Sequence, residues 1–122
     1  MLSPKDFVRL RHMLDAARKA VQFSQGRSRS DLDANEMLAL ALVRLLEIIG
    51  EAASGVSTDV REHCPEIPWG QVVSTRNRLI HGYYDIDLGI IWEIATRDLP
   101  PLITELERII SLEVESTPED ES

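Results

Sequence analysis

Residues 76 to 84 read R-N-R-L-I-H-G-Y-Y and place side chains that can act on an anionic group close together. Arginine can bind two phosphate oxygens at once through its planar guanidinium group. Histidine has an unperturbed pKa near neutrality, so its ring can accept or donate a proton there. Arg76, Asn77 and His81 are therefore candidate site residues. Whether their side chains lie close together depends on the geometry of the helix that carries them.

Arg76 has an unusual position on the helix predicted for this stretch. At 100° per residue from Trp69, Arg76 falls near the centre of the apolar stripe, whereas Arg78 points to the opposite side. A buried arginine needs a partner for its charge and its five donors. Either a carboxylate such as Glu47 or Glu51 neutralises it, or the stripe lines a cleft open to an anionic ligand. The two glutamates share one helix face and could equally face solvent.

The neighbouring polar residues also have ordinary structural interpretations. His81 follows the last turn of the predicted helix, where an imidazole can cap the helix and interact with its dipole. Asn77 and His81 share a face about 100° from Arg76, so the three side chains meet only if the backbone turns at the helix end. Tyr83 and Tyr84 would by default flank the core.

Apolar periodicity and capping residues predict helices along the chain. Helix one begins after Ser3 with a proline at its first position, and it ends before Gly26. Helix two begins after Asp31 or Asp33 and runs to Gly55. Its apolar surface is wider than one core-facing stripe, which indicates a central helix or one shared with a second subunit.

The second half of the chain continues this helical pattern. Ser57 caps a short helix, and the motif helix runs from Trp69 to Gly82. Asp85 or Asp87 caps the last helix, whose apolar phase continues past Pro100 and Pro101, so we expect a kinked or restarted helix with one buried face.

No alternating strand pattern interrupts the helices. We therefore predict an all-α fold, an up-and-down bundle of four main helices plus a short one. The predicted helical domain spans residues 1–112, and residues 113–122 form an acidic tail with few apolar residues that we expect to be disordered.

Composition and charge restrict the function classes. The chain has 122 residues, a net charge of −8 and one cysteine, Cys64, which we interpret as a structural thiol. Without a long apolar run or a signal-peptide pattern, we expect a soluble, cytoplasmic protein with no membrane association. Residues 1–30 hold seven basic and two acidic side chains, a net +5, so a local basic surface could still bind nucleic acid although the whole chain is acidic.

The segment from Arg76 to Tyr83 resembles the R-x4-H-x-Y signature of the HEPN superfamily. The similarity is with its HepT-like toxins, which are paired with minimal nucleotidyltransferase antitoxins. It extends through five blocks in the same order: R-L-L-E-I-I-G-E-A-A at 44–53, I-P-W at 67–69, R-N-R-L-I-H-G-Y at 76–83, D-L-G-I-I-W at 87–92, and D-L-P-P-L at 98–102.

This resemblance implies a bundle that dimerises through helix two and the motif helix and brings two motifs into one cleft. It also implies an endoribonuclease that needs neither metal nor cofactor. His81 would be the acid/base group in attack of a ribose 2′-hydroxyl on the adjacent phosphodiester. Arg76 would stabilise charge at phosphorus, Asn77 would orient the substrate or the imidazole, and Tyr83 would be the residue that the antitoxin adenylylates.

A different class of function stays open at this point. Some superfamily members keep the fold without the reaction, so the chain could be a non-catalytic helical module that binds a nucleotide or a partner. The intact Arg76, Asn77 and His81 favour the ribonuclease, and the acidic net charge mildly favours the module. A purely structural bundle would have to explain Arg76 by a salt bridge alone.

Overall fold

The computed structural model of the chain describes residues 2–79 and 85–116, except for the side chains of Arg76, Glu115 and Ser116. These residues form helices and no strand, which confirms the all-α class. The helices are α1 (Pro4–Ser24), α2 (Arg29–Ala34), α3 (Glu36–Ser54), α4 (Thr58–His63), α5 (Trp69–Val73), α6 (Thr75–Leu79), α7 (Leu88–Glu93) and α8 (Leu99–Ser116), with a π-helical segment (Ile94–Asp98) between the last two.

The first helix begins and ends where its capping residues predict. The Ser3 hydroxyl accepts a hydrogen bond from the Asp6 N–H at 3.0 Å, and Pro4 occupies the first helical position. Gly26, which follows the helix end, has a φ of 73°, a left-handed conformation that favours glycine. The Asp6 carboxylate accepts hydrogen bonds from both the N–H and the hydroxyl of Ser57, at 2.9 and 2.8 Å. Burial of Asp6 raises its pKa, but these hydrogen bonds outweigh it, so the pKa lies below its ordinary value.

The start of the second long helix differs from the prediction. Asn35, and not Asp31 or Asp33, caps α3, because its side chain accepts a hydrogen bond from the Leu38 N–H at 3.0 Å. Asp31 instead accepts from the Ser28 N–H at 2.7 Å, at the start of the short helix α2. The S-R-S-D sequence is a capping pattern for this additional helix.

Helix α3 is the centre of the fold. It packs against α1, α5 and α6, and α1 also packs against α8. The wide apolar surface of α3 predicted a central helix or one shared with a second subunit, and the structure places α3 at the centre with most of that surface buried within one chain. The buried residues of α3 are Leu38, Ala39, Leu42, Val43, Leu46, Ile49, Gly50 and Ala53. Its large exposed apolar side chains are Met37 and Leu40.

The motif helix is broken at Ser74, whereas the sequence predicted one helix from Trp69 to Gly82. The hydroxyls of Ser74 and Thr75 both donate to the Gln71 carbonyl, at 3.4 and 3.0 Å. Such side-chain hydrogen bonds compete with the backbone for the same acceptor and bend helices. The predicted continuous helix is therefore replaced by α5 and α6, and Gly82 lies outside the described residues.

The two prolines near the carboxyl end are accommodated by a π-helical turn. The Leu99 N–H donates to the Ile94 carbonyl, five residues back. Pro100 and Pro101 then lie in the first turn of α8, where missing N–H donors cost little. The apolar face continues through the turn as predicted, with Ile91, Leu99, Leu102, Leu106 and Ile109 buried.

Helix α8 continues to Ser116, past the predicted start of the tail at residue 113. The Leu2 N–H donates to Glu113 Oε1 at 3.2 Å, so this last part of α8 contacts the amino terminus. Within the described residues, no helix combines the length and apolar character needed to cross a membrane.

Candidate functional site

Helix α6 carries the first half of the candidate motif. Arg76 and Asn77 lie in this five-residue helix, and the Asn77 side chain is exposed. Leu79, at the end of α6, is fully buried and anchors the helix in the core. His81 and Tyr83, like the side chain of Arg76, fall outside the described residues, so their predicted roles stay predictions.

After α6 the chain comes back beside the end of that helix, where Asp87 contacts Leu79. The Asp87 N–H donates to the Leu79 carbonyl at 2.7 Å. The Asp87 side chain also accepts from the Ile90 N–H at 3.0 Å and caps α7, which confirms one of the two caps predicted for the last helix. The seven residues 80–86 between these anchors carry His81 and Tyr83, and both of their flanks are fixed to the bundle.

Close packing against α3 positions the segment before the motif. A Cβ added at Gly50 would lie 3.1 Å from the Val72 carbonyl oxygen and 3.6 Å from that of Val73. A residue larger than glycine would push α5 outward, because backbone carbonyls cannot move aside as a flexible side chain can. Gly50 therefore allows the chain that leads into α6 to lie directly on the central helix.

The two glutamates predicted as supporting residues both approach Arg44 on their own helix. Its Nη1 lies 3.5 Å from Glu47 Oε1 and 3.6 Å from Glu51 Oε1. Glu47 is the more enclosed of the two, with 22% of its side chain exposed against 65% for Glu51. Sequence reasoning missed Arg44, although its spacing of three and seven residues places it on the same helix face. Pairing of either glutamate with Arg76 stays a prediction.

A cavity of about 570 Å³ lies beside α6 and was not predicted from the sequence. Arg78 of α6, Thr75 and Gln71 line it, together with apolar side chains of α3, α5 and α8. These elements are far apart in the sequence, so no local pattern marks the cavity.

Most of the basic charge of α1 has partners within the chain. Arg9 donates to the Gly55 carbonyl at 2.9 Å, and Arg18 forms an ion pair with Glu107 at 2.7 Å. Arg11 lies 3.8 Å from Asp15. Two of these contacts pair a guanidinium group with a carboxylate, so they reduce the positive charge that α1 could offer to an RNA.

No group of three or more histidine, cysteine, aspartate or glutamate side chains that could hold a metal ion occurs within residues 2–79 and 85–116. The Cys64 thiol is buried, and burial raises its pKa. A thiol of this kind is unreactive, as expected for a structural cysteine.

Comparison with known proteins identifies the family. The model of the family described as "Ribonuclease HepT-like" matches residues 13–109. The chain belongs to the HepT-like ribonuclease family. This confirms both the family and the class of enzyme predicted from the sequence, and the whole segment from Arg76 to Tyr83 falls inside the matched range.

Several relatives carry ribonuclease names. The chain is 37% identical over 95 residues to "Putative RNase MJ1380" of Methanocaldococcus jannaschii, a match that covers 78% of the chain and 87% of the relative. It is 32% identical to "Putative RNase TTE0752" of Caldanaerobacter subterraneus, over 93% and 99% of the two chains. It is 31% identical to "Probable ribonuclease HepT" of Thermococcus cleftensis, over 88% and 96%. No solved structure gives a significant match.

Proposed function

We propose that this HepT-like ribonuclease is a metal-independent endoribonuclease toxin, located in the cytoplasm and neutralised by a nucleotidyltransferase antitoxin. The observation that carries the proposal is the family match over residues 13–109, which includes an intact R-x4-H-x-Y segment. Arg76, Asn77 and His81 supply the residue types that the chemistry needs.

The reaction is an internal transfer at phosphorus. The ribose 2′-oxygen attacks the adjacent phosphorus, the bond from phosphorus to the 5′-oxygen of the next nucleotide breaks, and a cyclic phosphate remains. His81 takes the proton of the 2′-hydroxyl, and the imidazolium that forms gives a proton to the leaving 5′-oxygen. Arg76 binds the phosphoryl oxygens, whose negative charge grows during the attack. Because the nucleophile belongs to the substrate, no metal-activated water is required.

The position of Asn77 supports its predicted role. Its side chain is exposed on α6, where a substrate can reach it. Both flanks of the segment with His81 are held to the bundle by the hydrogen bond between Leu79 and Asp87. This bond fixes the points at which the chain leaves and rejoins the bundle on either side of His81.

The decisive experiment uses the purified protein, a labelled RNA and an excess of chelator. We expect cleavage to continue with the chelator and to leave cyclic phosphate ends, and we expect a DNA strand of the same sequence to remain intact because it lacks the 2′-hydroxyl. Binding of the RNA without cleavage would favour the non-catalytic module instead. Activity that stops with the chelator would contradict the metal-independent mechanism.

We also propose a homodimer that uses the exposed part of α3. Met37 is 82% exposed and Leu40 is 51% exposed, one helical turn apart. These two large apolar side chains form the exposed part of α3 that a second subunit would cover. The family resemblance implies the same helix and adds that two motifs then share one cleft.

The variant Leu40→Asp is expected to weaken the dimer about 100-fold. A two-fold interface would contain Leu40 twice, and burial of each leucine contributes about 1.5 kcal/mol, which corresponds to about 100-fold for the pair. Sedimentation velocity over a concentration series measures the change. Leu112→Asp is the matched control, because Leu112 is 54% exposed and lies on α8. A wild-type chain that sediments only as a monomer at micromolar concentration would contradict the shared cleft.

A further inference from the structure

The cavity beside α6 combines apolar walls with a polar rim. Its apolar walls include Leu46, Ile49, Ile67, Val72, Leu99 and Leu102. Gln71, Thr75 and Thr104 also line the cavity and supply hydrogen-bonding groups. A volume of about 570 Å³ is within the range of binding sites for small organic groups. Such a site suits a flat, partly apolar group that also carries polar atoms.

Arg78 gives this cavity a preference for an anion. Its side chain is half-buried and lines the cavity, and no described residue forms a hydrogen bond or ion pair with it. Of the other arginines with described side chains, only Arg27 lacks such a partner, and Arg27 is exposed in the turn after α1. A half-buried guanidinium group without a partner loses hydration without compensation. An anionic ligand would supply the missing acceptors.

The acidic side chains that line the cavity do not cancel its preference for an anionic ligand. Arg108 holds Glu105 at 2.9 Å and Glu66 at 3.7 Å. Asp98 is exposed, and a carboxylate can accept a hydrogen bond from the amino group of a nucleobase. Arg97 also lines the cavity but is paired with Glu93 at 3.0 Å. Among these cations, Arg78 is therefore the one that no described carboxylate pairs with.

We infer that this cavity is a subsite for a nucleotide that flanks the scissile bond of the RNA. Its base lies against the apolar walls and its phosphate binds Arg78. Positions 76 and 78 are about 200° apart around the axis of α6, so position 76 lies on the side of this short helix opposite to Arg78. In this inference an RNA strand crosses α6 and passes both positions. The inference rests on the proposed function, since it takes RNA as the ligand.

A first test replaces a residue that lines the cavity by a larger one. The probe is a labelled RNA oligonucleotide with 2′-O-methyl riboses, which the proposed mechanism cannot cleave. Thr104→Trp is expected to weaken binding about tenfold, because an indole at the mouth displaces the base, and base stacking contributes about this much. Thr96→Trp is the matched control: both threonines are exposed, and both hydroxyls donate to the carbonyl four residues back, at 3.3 and 2.7 Å. It should bind within about twofold of the wild type.

A second test removes the anion contact. Arg78→Gln is expected to weaken binding of the same oligonucleotide about tenfold, the loss expected for one charge-assisted hydrogen bond. Arg27→Gln removes the same charge from an exposed site and reports the general electrostatic effect, about twofold. Circular dichroism melting of all four variants verifies that they are folded.

The outcomes separate this inference from the proposed function. If the wild type cleaves RNA but each variant binds like its matched control, the subsite is wrong and the catalytic proposal stands. If the variants weaken binding as expected but the wild type never cleaves, the subsite stands and the catalytic proposal fails. A wild-type chain that does not bind the oligonucleotide overturns the subsite.

Discussion

Replacement of His81 by alanine is expected to lower the rate of RNA cleavage by about 10²- to 10⁴-fold, the usual loss when a general acid or base is removed. The imidazole is the group proposed to move a proton between the 2′-hydroxyl and the leaving oxygen. RNA binding should change little, because in this proposal Arg76 and the nucleotide subsite bind the phosphates. A loss in kcat with a nearly constant KM, measured on a labelled RNA in the presence of chelator, would show that His81 acts in proton transfer and not in RNA binding.

The chain offers a matched control for this variant. His12 is exposed on α1, far along the chain from the motif, and His12→Ala should keep full activity. Circular dichroism and sedimentation establish that both variants keep the fold and the oligomeric state of the wild type. Equal activity of His81→Ala and the wild type would mean that another residue, or a contaminating nuclease, carries out the reaction.

The parts of the fold that depend on local sequence could be predicted. Ser3 and Pro4 mark the start of α1, and the Ser57 hydroxyl caps α4 by accepting from the Val60 N–H at 3.3 Å. These signals work because a capping side chain satisfies an N–H only two or three residues further along. The buried face that continues across the two prolines was predicted for the same reason, since apolar spacing is also a local property.

The break at Ser74 shows a feature that apolar spacing alone did not predict. A helical wheel drawn from Trp69 assumes one continuous helix, but the helix is interrupted where Ser74 and Thr75 bond to the Gln71 carbonyl. The angle predicted between Trp69 and Arg76 therefore rests on an assumption that the structure does not meet. The sequence signal for this break was the pair of adjacent hydroxyl residues inside the predicted helix.

The surroundings of the motif depend on contacts between distant segments. Gly50 touches the backbone of α5, and Leu102 of α8 shares a cavity with Arg78 of α6. Neither contact can be inferred from spacing along the chain, because each arises from how the helices pack. The residue types of the motif indicated phosphate chemistry, and the packing forms the cavity that we propose for the neighbouring nucleotide.

A second large loss of ribonuclease activity is expected when the antitoxin modifies the protein. We propose Tyr83 as the residue that it modifies. The Tyr83 oxygen attacks the α-phosphorus of ATP, loses its proton and displaces pyrophosphate, so an adenylyl group becomes attached to the side chain. The added phosphate is negatively charged and lies two residues from His81, where RNA phosphates must approach. Charge repulsion and the bulk of the adenosine would both oppose substrate binding, so the modified enzyme should lose nearly all of its activity.

The neighbouring tyrosine provides the control for this modification. After incubation with the partner nucleotidyltransferase and ATP, Tyr83→Phe should stay active and gain no mass, whereas Tyr84→Phe should gain an adenylyl group and lose activity. The two substitutions remove the same hydroxyl from adjacent positions, so they separate loss of the acceptor from a general effect on this segment. Intact-mass and peptide mass spectrometry locate the group. Suppressed activity without an adenylyl group on the Tyr83 peptide would mean that the partner inhibits by contact alone, because no covalent charge would then stand between the RNA and His81.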